Sequence, residues 1–194
     1  MRPLNGGHFD LAPAKVLPFF AECKVNGGRL VMHLDSGQVF NRHGQKSAVQ
    51  KDFDFTKLPI KELSKVAKWV DMEGLSRRHK IAKGTLVVLD FIPKDPSMIY
   101  ETRKDILWDL MEVHPLSVEG WEKPVYTVFS THYKSGMDER GLWDIVADKV
   151  INPYDKFCNA VFEGIVSKQA GSKYACMRND KAESAVWIKH KLTF

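Results

Sequence analysis

The sequence predicts an α+β domain, on three observations. Short β-prone runs are separated by glycine turns, two stretches carry apolar residues at helical spacing, and the helical stretches fall between the strands. A chain of 194 residues is long enough to bury a core and short enough to form one domain. Its hydrophobic fraction of 44%, interspersed with charge, excludes a disordered polymer.

Residues 1–16, with Pro3, Asn5-Gly6-Gly7 and Pro13, read as an irregular lead-in, so the folded domain is expected over 17–194. Residues 19–40 read as a three-stranded meander, turning at Asn26-Gly27-Gly28 and again at Asp35-Ser36-Gly37. Leu63, Val66, Ala67 and Val70 then follow a helical period, which predicts a helix ending near Val70. Residues 85–92 (TLVVLDFI) have the length and β-branched content of a buried strand, closed by Pro93 and Pro96. A helix is expected over 100–111, with Ile106, Leu107, Leu110 and Met111 on its apolar side, and another over 138–151. Between them 125–131 alternates as one strand, and two last strands, 161–167 and 185–192, flank a polar loop.

A formal charge of +5 and a pI near 9.0 permit attraction to polyanions such as nucleic acid. Cys23, Cys158 and Cys176 lie far apart without a Cys-x-x-Cys pair, which argues against a disulfide framework or a structural zinc site and for a reducing compartment. The seven histidines lack the His-Glu-x-x-His spacing of a helix-borne zinc site. No run is long enough to span a bilayer and the N-terminus lacks the apolar core of a secretion signal. The expectation is a cytoplasmic monomer, or one in whichever compartment of its host holds DNA.

Five segments carry candidate chemistry. Glu22-Cys23-Lys24-Val25-Asn26-Gly27-Gly28-Arg29 sets a lysine at a strand end before a glycine turn, with an arginine just beyond. Alone, that is what a solvated hairpin lysine looks like. Its functional reading is an amine nucleophile, which must lose its proton to react and therefore needs burial or neighbouring cations. Asn41-Arg42-His43-Gly44 offers an arginine at a strand end, and Asp71-Met72-Glu73 a pair of carboxylates that share one face if extended. Phe162-Glu163-Gly164-Ile165-Val166-Ser167-Lys168 puts two charges in an apolar strand, where each needs a partner. Trp187-Ile188-Lys189-His190-Lys191 places two lysines on one face, a repulsion that an anion between them would relieve.

Taken together and in this order, the segments resemble the ATP-dependent DNA ligases, within a superfamily of covalent nucleotidyltransferases that includes RNA ligases and messenger RNA capping enzymes. Lys24-Val25-Asn26-Gly27 is similar to the family's Lys-x-Asp-Gly, with Asn26 in place of the aspartate. Asn41-Arg42-His43-Gly44 resembles Ser-Arg-x-Gly, Asp71-Met72-Glu73 resembles Asp-Gly-Glu, and the last two segments match the final two motifs. The resemblance implies an ATP-grasp-like nucleotidyltransferase domain of antiparallel sheets flanked by helices, using ATP and Mg2+ on nicked duplex DNA or on RNA. It implies Lys24 as the adenylylated nucleophile, Glu22 beside the adenine, and Arg29, Arg42 and Glu73 on ribose and phosphate. Glu163, with Glu73, would hold the metal, while Lys168, Lys189 and Lys191 would neutralise phosphates. Leu89 stands where the family places the aromatic that stacks on adenine, and Phe91 is the substitute expected from the sequence. The family's OB-fold domain has no counterpart before Phe194, so a separate OB-fold or DNA-binding partner is expected to complete the work. Two other readings share these residues: an RNA ligase or GTP-using capping guanylyltransferase, and a catalytically silent nucleic-acid-binding module.

Overall fold

Two five-stranded sheets form the domain in a computed structural model that describes residues 6–8, 18–76, 82–116, 119–133, 161–174 and 184–191. In chain order the elements are β1 (Gly6–His8), β2 (Phe19–Val25), β3 (Gly28–His33), β4 (Val39–Asn41), α1 (Ile60–Val66), β5 (Ala67–Gly74) and β6 (Leu86–Pro93). They continue with α2 (Tyr100–Leu110), β7 (Val125–Thr127), β8 (Ser130–Tyr133), β9 (Phe162–Gln169) and β10 (Ser184–Lys191). The first sheet has the order β1-β10-β9-β2-β8 and the second β4-β3-β5-β6-β7. The α+β class is as the sequence predicts, and most strand pairs are antiparallel; β1 with β10 and β6 with β7 are parallel. Gly6–His8, inside the predicted lead-in, forms an edge strand on β10. The helix expected over 138–151 lies outside the described residues.

The meander over 19–40 is corrected at its first turn. β3 and β4 pair as a hairpin across Asp35-Ser36-Gly37, where Gly37 takes a φ of 66°. β2 and β3 do not pair: Asn26-Gly27-Gly28 carries the chain from one sheet to the other. The glycine is needed there for close passage, since a Cβ on Gly27 would lie 2.8 Å from the Gly74 carbonyl oxygen. Asn26 N–H donates to the Val161 carbonyl at 2.7 Å instead of closing a hairpin.

Two other expectations change at element boundaries. The helix ends at Val66, and Ala67 and Val70 already belong to β5. Leu63, Ala67 and Val70 are all fully buried in one cluster, so helix and strand bury residues into the same core and the joint mimics a continuous helical period. The stretch 125–131 is two strands, with β7 on β6 and β8 on β2. Between them Val128 N–H donates to the Val88 carbonyl and the Phe129 carbonyl accepts from Cys23 N–H, so the chain changes sheets in mid-segment.

β6 lies between β5 and β7 and feeds both cores. Val87 packs with Ala21, Cys23, Val128, Phe162 and Ile165 between the sheets, whereas Val88 packs with Met72, Val70, Leu63 and Leu107 beneath the helices. The register with β5 pairs Met72 with Val88 and Asp71 with Asp90, leaving Leu89 as an extra residue in a β-bulge. The bulge resets the alternation beyond it: Phe91, opposite Val70, turns into the helix-side core and is fully buried there.

α2 is tied down by charge as well as by apolar packing. Tyr100, Arg103, Lys104 and Leu107, at positions i, i+3, i+4 and i+7, are the buried residues of this helix, while Ile106, Leu110 and Met111 are only partly buried. Arg103 grips Asp90 with two hydrogen bonds, of 2.8 and 3.1 Å, and caps the Met98 carbonyl at 2.8 Å. Removing one partner of such a buried pair leaves an uncompensated charge. Arg103→Met is therefore expected to destabilise the fold by about 3–5 kcal/mol, read from urea denaturation against the unsubstituted chain.

Candidate nucleotide site

A cleft opens along the junction of the two sheets, and Lys24 stands at the point where the chain passes between them. Glu22, Cys23, Lys24 and Val25 from β2 line it on one side, with Val166 and Lys168 from β9 and Trp187 and Lys189 from β10. Arg29 from β3, Glu73 from β5 and Leu89 from β6 face them from the other sheet. The pairing register explains why these distant segments meet: Lys24 is opposite Gly164, Arg29 is opposite Glu73, and Lys189 is opposite Val166.

Lys24 Nζ donates to Glu163 Oε1. Arg29 makes a bidentate pair with Asp71, whose second oxygen also accepts from Tyr174 Oη at 2.6 Å. Burial alone would favour a neutral guanidine, but Asp71 outweighs it and fixes Arg29 as a cation.

Glu73 is the unsatisfied member of the group. Its Oε2 is buried and has no hydrogen-bond partner among the described residues. Burial pushes its pKa up to about 7, against the pull of the Arg29 and Lys24 cations and with a further push from Asp71. A buried carboxylate left this way fits a hydroxyl donor or a hydrated magnesium ion, which characteristically takes one or two carboxylates together with phosphate oxygens and water. Among the described residues no three His, Cys, Asp or Glu side chains converge as a ready-made metal cage.

Glu22 lines the cleft from β2. Both carboxylate oxygens are committed within the protein: Oε1 accepts from Tyr100 Oη and from Lys104 Nζ at 3.1 Å, and Oε2 pairs with Lys168 Nζ at 2.7 Å. Burial would raise its pKa, but Lys104 and Lys168 together bring it below the ordinary carboxylate value. Lys168 itself is buried, donates to the Leu89 carbonyl at 3.2 Å, and lies 4.0 Å above the Trp187 ring.

Of the other residues singled out in the sequence, Arg42 is exposed in the turn after β4, hydrogen-bonded to His43 at 3.1 Å, and acts on Glu73 through its charge. Lys191 continues β10 opposite Gly164. Phe91 is corrected: the Leu89 bulge turns it into the core, and Leu89 itself, with Val166, supplies apolar wall to the cleft. Sequence reasoning missed Tyr100, Lys104 and Tyr174. The i, i+3, i+4, i+7 spacing of Tyr100, Arg103, Lys104 and Leu107 was the available signal for the first two; the two charges on that face, Arg103 and Lys104, concealed it as a solvated stripe. Nothing in the local sequence marks Tyr174.

No protein-family model matches the chain, and no curated protein matches it in sequence. Solved structures do. A structure from a study of DNA binding by Lig E DNA ligases superposes with a TM-score of 0.60 at 12% identity, over 99% of this chain and 69% of that one. Mycobacterial DNA ligase D complexed with ATP gives 0.60 at 15% identity, over 98% of this chain and 60% of that one. Chlorella virus DNA ligase-adenylate gives 0.59 at 16% identity, over 98% and 67%. The fold is that of a ligase-type nucleotidyltransferase domain. Among the described residues no helix is long and apolar enough to cross a membrane.

The pKa of Glu73 sets a pH dependence. Its carboxyl is protonated below about pH 7 and can accept from a ligand hydroxyl fully only above it, so affinity for adenosine, which has no phosphate to titrate in this range, should rise between about pH 6 and about pH 8. Titration calorimetry across that window should show the rise in the unsubstituted chain and a flat profile in Glu73→Gln; a rise of the same size in the variant would remove Glu73 from the site.

Proposed function

We propose that this chain is the nucleotidyltransferase domain of an ATP-dependent DNA ligase, in which Lys24 takes AMP from ATP and passes it to a 5′-phosphate at a nick. The observation that carries the reading is the cleft itself: on a ligase-type fold, the cations Lys24, Arg29, Lys168 and Lys189 surround one space together with the unsatisfied Glu73 carboxylate. Such an excess of fixed positive charge suits a polyphosphate, and the free acceptor suits a ribose hydroxyl.

In the first step Lys24 Nζ forms a bond to the α-phosphorus while the bond from that phosphorus to the oxygen bridging toward the β-phosphate breaks, and pyrophosphate leaves with the bonding pair. The amine must first part with its proton, and Glu163 already accepts its hydrogen bond. Lys168 and Lys189, which line the cleft, would neutralise phosphate charge, and little acid–base machinery is needed because positioning and charge neutralisation supply most of the acceleration in in-line phosphoryl transfer. A magnesium ion held by Glu73 and Glu163 would supply further neutralisation. A 5′-phosphate oxygen then displaces Lys24 from phosphorus, and a 3′-hydroxyl displaces AMP to close the strand. Leu89 and Val166 supply the apolar surface against which a base would lie, in place of an aromatic stack.

Incubation with ATP and magnesium should add the mass of one AMP to the intact protein, and Lys24→Ala should abolish the addition. An undiminished adduct in that variant would remove Lys24 from the reaction, and an adduct formed with GTP alone would redirect the reading to a capping-type guanylyltransferase. A nicked DNA duplex offered beside a nicked RNA duplex should be adenylylated at the DNA 5′-phosphate.

A further inference from the structure

The nucleotide reading leaves a buried lysine without a task. Lys104, from α2, is 1% exposed and reaches no part of the cleft, yet its Nζ donates both to Glu22 Oε1 at 3.1 Å and to the Val128 carbonyl at 2.6 Å. A long cationic side chain is costly to bury, and a Glu22–Lys168 pair would be balanced without it. The carboxylate is thus divided between two purposes. Oε1 is anchored to α2 through Tyr100 and Lys104, and Oε2 is presented to Lys168.

Counting formal charges, one carboxylate and two ammonium groups leave a single positive charge in this buried cluster, and Lys168 is the member that lines the cleft. Without Lys104, Glu22 would cancel Lys168, and the innermost cation of the cleft would present no net charge to a phosphate. We infer that Lys104 is a positioning residue for phosphate recognition: it occupies Glu22 from behind and so keeps the Lys168 ammonium electrostatically available to the nucleotide. Lys104 touches no ligand and acts only through Glu22. The other faces of Lys168 agree with this arrangement, since the Leu89 carbonyl, the Trp187 ring and the Tyr100 ring at 4.9 Å hold the ammonium in place without neutralising it.

The inference rests on the proposed nucleotide site, and AMP and adenosine separate the two claims, because they share base and ribose and differ in the phosphate. Binding of each to the full chain is measured by titration calorimetry. Lys104→Met should lower AMP affinity about tenfold while leaving adenosine affinity unchanged, and Lys104→Arg should restore the ratio of the two. Glu22→Gln removes the negative charge and should move the ratio in the opposite direction, favouring AMP. The double variant Glu22→Gln, Lys104→Met again carries one positive charge, and its ratio should return toward that of the unsubstituted chain. Should Lys104→Met fail to fold, Glu22→Gln still decides, since an unchanged or reduced preference for AMP there overturns the inference. Equal losses for AMP and adenosine in Lys104→Met would mean a role in packing alone and would also overturn it. Absence of AMP binding in the unsubstituted chain would overturn the nucleotide reading and this inference with it.

Discussion

Burying the Glu22 carboxylate at the junction of two sheets obliges the protein to bring donors to it, and three donors come from two distant parts of the chain. Tyr100 and Lys104 arrive on α2 and Lys168 on β9, so one acidic side chain fixes a helix against a sheet. A second buried carboxylate, Asp90, repeats the device with Arg103 one turn along the same helix. A third, Asp71, paired across β5 and β6 with Asp90, holds Arg29 and Tyr174. The site is therefore the exposed end of a charged core. Lys24, Arg29 and Lys168 are each held by a carboxylate, Glu163, Asp71 and Glu22 respectively, so the loss of any one of these acids would release a cation of the site.

This organisation decided what could be read from the sequence. Strand identity and the α+β class were legible because the apolar runs and their glycine and proline boundaries are local signals. So was the grouping of Lys24, Arg29, Glu73, Lys168 and Lys189, because each stands out as a charge in an otherwise strand-like run. Asn26-Gly27-Gly28 misled, since a glycine needed for close passage beside Gly74 looks the same in sequence as one needed for a tight hairpin. Phe91 misled for a related reason. Period-two counting puts positions 89 and 91 on one face, and only the pairing register with β5 reveals the extra residue that separates them.

Charged residues in α2 escaped notice because periodic reading assigns Arg and Lys to solvent. Arg103 and Lys104 share their helix face with Tyr100 and Leu107, and the partners that make their burial tolerable, Asp90 and Glu22, lie 13 and 82 residues away. Information of that kind is held in tertiary pairing. The low identity of 12% to 16% to ligase structures that nonetheless superpose over nearly the whole of this chain fits the same picture, in which geometry persists where residue identity does not.

The crossing at Asn26-Gly27-Gly28 has a mechanical meaning. Lys24 is the penultimate residue of a strand in one sheet and Arg29 the second residue of a strand in the other, with four residues between them. So short a tether leaves no slack. Any change in the splay of the two sheets must appear as a displacement of the lysine relative to the arginine and to Glu73 behind it. The separation of those side chains is thus a built-in gauge of cleft opening, and fluorescent or spin labels placed on the two sheets would be reporting the same coordinate that the lysine itself experiences.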